Sequence, residues 1–60
     1  MENNDLVSIG RKKIVETIQW MVQEQNIHKT RDIKLRFIEM GFISPDDRTI
    51  KKWKRYYENN

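Results

Sequence analysis

Ser44-Pro45-Asp46-Asp47 constrains the fold more than any other segment, because it fixes where one helix starts and so where the preceding one must stop. Ser44 is suited to cap the free amides of a first turn, and Pro45, the sole proline, suits the first helical position, where no amide donor is needed. Asp47 completes a Ser-x-x-acid capping box and sets negative charge at the positive end of the helix dipole. A helix over about 45–57 follows.

At 100° per residue, Ile50, Trp53 and Tyr57 share one arc of that helix. Arg48, Lys52 and Arg55 lie almost opposite, with Lys51 on the shoulder. A charged outer face is ordinary for any surface helix. Here, however, the face past the first turn is of one sign as far as Arg55, whereas solubility is usually served by mixed charges, and this favours nucleic-acid contact.

Upstream, Gly41 supplies a stop, since glycine tolerates the left-handed conformation that ends helices. A second helix is expected over about 31–40, with Thr30 as its cap. It carries two apolar stripes, Ile33, Phe37 and Met40 on one side and Leu35 and Ile38 on the other, as a helix wedged between two neighbours would. Phe42 and Ile43 form a short apolar connection that can staple back onto the last helix. The longest helix is expected over about 9–25, where Ile14, Ile18, Met21 and Val22 recur at helical spacing. Residues 1–8 read as a frayed polar tail. No alternation of period two calls for strands.

These elements describe a single all-α domain over 1–60, a small three-helix bundle whose last two helices form a helix-turn-helix motif. A chain of 60 residues buries only about 60% of its unfolded surface, which leaves little room for an elaborate enzyme pocket. There is no cysteine and one histidine, His28, so neither a disulfide framework nor a conventional zinc site is expected. No Ser-His-Asp or Cys-His set and no glycine-rich phosphate loop is present, and Asp46 and Asp47 point in different directions on a helix. The chain reads as a non-enzyme needing no cofactor, metal or small-molecule ligand. No apolar run is long enough for a membrane span and the N-terminus lacks signal-peptide features, so a cytoplasmic location is expected. The net charge of +3 suits a polyanionic partner, and the cationic surplus falls from Lys29 onward.

From Thr30 to Tyr57 the chain resembles the DNA-binding domain of arginine repressors, through Ile33, Phe37 or Ile38, Glu39, Gly41, Phe42 and Ile50. The resemblance implies a helix-turn-helix whose last helix is the recognition helix. Where that family follows the buried aliphatic with Ser-Arg, this chain has Lys51-Lys52, and neither a wing nor an arginine-sensing domain is expected. The segment Arg48 to Lys54 is equally similar to recognition helices of small transposase, resolvase and phage regulator domains.

On this reading Arg48 is the candidate for a bidentate guanine contact, and Lys51, Lys52 and Arg55 neutralise phosphates or reach bases. Thr49 can assist through a phosphate bond or its methyl group. Lys29, Arg31 and Lys34 lie around the start of the second helix, which commonly meets the backbone. The expected function is sequence-specific binding of double-stranded DNA by a small transcriptional regulator or an accessory factor of a mobile element. The alternative is a protein-interaction module that docks on an acidic partner.

Trp53, Tyr56 and Tyr57 would suit base stacking, but Trp53 and Tyr57 share the Ile50 arc, which favours core packing. Trp20 projects away from Ile14, Ile18 and Val22, toward Lys13, Glu16 and Glu24. It is either covered by Leu6, Val7 or Ile9 folding back, or it marks a homodimer contact. His28 reads as a solvent-facing loop residue.

Overall fold

The computed structural model describes residues 6–59 and contains three helices, α1 (Arg11–Gln23), α2 (Thr30–Glu39) and α3 (Asp47–Glu58). It is an all-α three-helix bundle in which α3 packs on both α1 and α2, more extensively on α1. Among the described residues the only extended pairing is an isolated parallel bridge between Val7 and Phe42.

Helix α1 is two residues shorter at each end than the expected 9–25, and the caps of α3 and α2 both differ from the sequence expectation. The α3 cap is Asp46, whose Oδ1 accepts the Thr49 amide at 2.9 Å; Ser44 instead donates its hydroxyl to the Pro45 carbonyl at 3.0 Å. An aspartate cap carries a full charge toward the dipole's positive end, so the helix starts two residues later than Pro45 would allow. At α2 the capping position is held by Lys29, with no side-chain cap, and Thr30 is the first helical residue.

Gly41 fulfils its expected role, with φ of +85°. Its amide donates to the Ile38 carbonyl at 2.9 Å and the Phe42 amide to the Phe37 carbonyl at 3.0 Å, the paired bonds of a Schellman ending. Nothing lies near where a Cβ would stand, so a larger residue there would meet only the left-handed backbone penalty, roughly 1–2 kcal/mol. Asn26, at φ of +57°, lies two residues beyond the Glu24 cap of α1 and turns the chain so that the Ile27 amide donates to the Met21 carbonyl at 2.9 Å; asparagine is among the few residues that accept that conformation.

The core comprises Ile18, Met21 and Val22 of α1, Ile33 and Phe37 of α2, and Ile50 of α3. Ile9, Ile14, Ile27, Phe42, Trp53 and Tyr57 pack around it. Thus α1 and α3 bury the stripes their periodicity marks. For α2 only one stripe is buried. Leu35 and Ile38 are 51% and 46% exposed, and Met40 too lies in the open, so α2 covers one side of the bundle and is not wedged between neighbours.

Met1 to Asp5 of the expected frayed tail lie outside the described residues. At Val7 the expectation fails: its amide donates to the Gly41 carbonyl at 2.8 Å, and the Ile43 amide donates to the Val7 carbonyl at 2.9 Å. This segment is laid along the α2–α3 connection, where an unpaired loop backbone satisfies it.

Candidate nucleic-acid interface

The inward arc of α3 leaves its cations no choice of direction. Ile50 is fully buried and Trp53 and Tyr57 are half-buried against the core, so Arg48, Lys51, Lys52 and Arg55 project into solvent. Among the described residues none of these four is within ion-pair distance of a carboxylate. Lys52 Nζ stands 5.1 Å from the centre of the Trp53 ring, which favours a cation over the ring face.

The two flanks of α3 extend this surface onto the other helices. On one side Lys51 shares a groove of about 360 Å³ with Arg31, Lys34 and Asp47, lined also by Leu35 and Ile38. On the other side Lys52 and Thr49 share a groove with Arg11, the first residue of α1, and with the capping Asp46. A cationic belt therefore crosses all three helices, with Arg48 and Arg55 in its middle.

Not every expected residue joins it equally. Lys34 Nζ is 3.0 Å from Asp47 Oδ1, so its charge is partly neutralised and the acid of the first turn is turned toward α2. Lys29 lies on the far side of Leu35, in a different groove with His28, Asp32 and Glu39. Thr49 is half-buried on the α1 flank and not on the outward face. Arg11 was not expected, and no local signal marks it, because its neighbours in the belt come from the opposite end of the chain.

The end of α3 is held by a contact that spans the chain. His28 Nδ1 stands 2.7 Å from Glu58 Oε2, an arrangement that requires the proton on Nδ1, and Lys54 Nζ is 3.3 Å from the same oxygen. His28 is thus half-exposed but tied, linking the α1–α2 connection to the last turn of α3. Lys54, with its side chain largely covered, is engaged there and does not belong to the belt. Three rings, Trp53, Tyr56 and Tyr57, contact one another at 5.0 to 6.3 Å between centres; Trp53 and Tyr57 stack on each other, which occupies a face of each, while Tyr56 meets both edge-on and is exposed.

Two carboxylates are held below their ordinary range. Asp46 is lowered chiefly by its hydrogen bonds from Thr49, with Arg48 assisting, and Glu58 chiefly by its hydrogen bond with His28, then by Lys54. A folded-state pKa below the unfolded value stabilises the fold above the unfolded pKa, and that contribution is lost as pH falls through the folded one. The melting temperature should therefore decline below about pH 4, and Glu58→Gln should show a smaller drop between pH 7 and pH 3 than the wild type. Thermal melts followed by circular dichroism check this.

Among the described residues no group of three or more His, Cys, Asp or Glu side chains is placed to hold a metal ion. No helix among the described residues is long and apolar enough to cross a membrane. No protein-family model, curated protein or solved structure matches the chain.

Proposed function

We propose that this chain is a helix-turn-helix module that binds double-stranded DNA, with α3 lying in the major groove. The observation that carries the reading is the belt of cations contributed by all three helices and centred on the outward face of α3, in which, among the described residues, every member but Lys34 lacks a carboxylate within ion-pair distance. A face built only for solubility would intersperse acids more evenly; here the two acids beside the belt are committed to partners, Asp46 to the α3 cap and Asp47 to Lys34.

In this reading Arg48, near the start of α3, contacts guanine bidentately, while Lys51, Lys52 and Arg55 meet phosphates. Arg31 and Arg11 grip the backbone on either side, and Lys34 joins if it exchanges Asp47 for a phosphate. The resemblance of Thr30 to Tyr57 to the arginine repressor domain supports the same assignment of α3. Such a module would serve in the cytoplasm as a small transcriptional regulator or an accessory factor of a mobile element.

One observation favours a second reading. Leu35 and Ile38 lie open beside Arg31, Lys34 and Lys51, a combination that also suits an acidic, amphipathic protein segment.

Fluorescence polarisation with duplex DNA, single-stranded DNA and heparin over a salt series separates the two. Four to six phosphate contacts correspond to a slope of about −4 to −5 in log affinity against log salt. A slope of that size with preference for duplex is expected. Weak binding without duplex preference would overturn the DNA reading and leave the protein partner.

A further inference from the structure

The bundle has a second exposed surface that the cationic belt does not use. Trp20 remains 41% exposed, because the N-terminal segment that folds back lies along the α2–α3 connection and leaves the indole open. Beside it runs a groove lined by Lys13, Glu16, Thr17, Met40 and Phe42. The bridge between Val7 and Phe42 brings further apolar surface to this end, with Val7 and Ile43 both exposed. Exposed Trp20, Val7, Met40 and Ile43 thus gather at one end of the bundle beside charged side chains, a mixture that suits an interface.

We propose that two copies of the chain pair through this face, with their α1 helices antiparallel about a two-fold axis level with residues 18 and 19. The charge pattern selects a second copy as the occupant. On the 100° wheel Lys13, Trp20 and Glu24 lie within one narrow stripe, with the cation toward the N-terminus and the acid toward the C-terminus. The charges stand about 16 Å apart along the axis. An antiparallel copy reverses that order, so Lys13 of each chain meets Glu24 of the other. The same axis sets each Trp20 over Thr17 of its mate, which lines the groove. A two-fold interface requires this self-complementarity, in which residue i meets j and j meets i. A generic acidic or basic partner would satisfy only one end of the stripe.

The pairing does not depend on the DNA reading. If both hold, the dimer presents two belts and would recognise a two-fold symmetric site.

Sedimentation equilibrium of the full chain without DNA, from micromolar to millimolar concentration, tests the pairing. A reversible monomer–dimer equilibrium is expected for the wild type, and Trp20→Ala should raise its dissociation constant by about thirtyfold or more, as for a central aromatic anchor. Lys13→Glu and Glu24→Lys should each weaken the dimer, and the double exchange should restore it. Both reversals suit the α1 dipole, an acid near its start and a base near its end, so neither loosens the helix itself. A wild type that stays monomeric, or a double exchange no tighter than the single ones, would overturn the proposal.

Discussion

Replacing Arg48 and Lys52 together by alanine is expected to lower affinity for random duplex DNA by about 25-fold at 0.15 M salt, without changing the fold. The size follows from counterion release. Each phosphate neutralised on B-DNA contributes a slope of about 0.9, which amounts to roughly fivefold in affinity at 0.15 M salt. On random DNA, where Arg48 has no guanine in register and rests on phosphate like Lys52, two lost contacts should therefore also flatten the salt slope by about 1.8. On a selected target the two residues should part company: Arg48→Ala should relax discrimination at one position by about 1–3 kcal/mol, while Lys52→Ala weakens all sequences alike. Lys12→Ala with Arg36→Ala gives the same net charge and removes cations outside the belt. If that control loses as much affinity as the double variant, binding depends on total charge and the belt is not the interface. All four side chains reach solvent, so unchanged circular dichroism is expected throughout.

How much of this was legible in the sequence depended on how local the cause was. The buried arc of α3 could be read because helical periodicity places Ile50, Trp53 and Tyr57 together whatever they touch. The stop at Gly41 was legible because only backbone conformation decides it. The α3 cap was misplaced by two residues because Ser44, Asp46 and Asp47 all carry capping oxygens, and tertiary packing chose among them. The second stripe of α2 misled for a different reason. Leu35 and Ile38 have the spacing of a packed face, and spacing cannot say whether a fourth element exists to cover it. Arg11 in the belt and the tie from His28 to Glu58 join distant parts of the chain, and neither leaves a trace in any short window.

Phe37→Ala should remove about half or more of the domain's stability at 25 °C. Phe37 is the largest fully buried side chain, placed where α2 meets the α1 and α3 core residues, and truncating a buried phenylalanine costs about 3–5 kcal/mol. At roughly 0.05–0.15 kcal/mol per residue, a chain of 60 residues has only about 3–9 kcal/mol in total. No disulfide adds to that margin. Leu35→Ala, two positions away on the open face of the same helix, should change stability by only about 0.5 kcal/mol. Chemical denaturation of the two variants checks the contrast, and a cooperative transition for Phe37→Ala within 1 kcal/mol of the wild type would contradict the core assignment. The same pair also tests how the belt is made. Arg11, Arg31 and Arg48 come from three helices and converge only when those helices pack. In denaturant that unfolds Phe37→Ala but not the wild type, Phe37→Ala should therefore lose duplex preference although every cation is still present, while Leu35→Ala should keep both fold and preference.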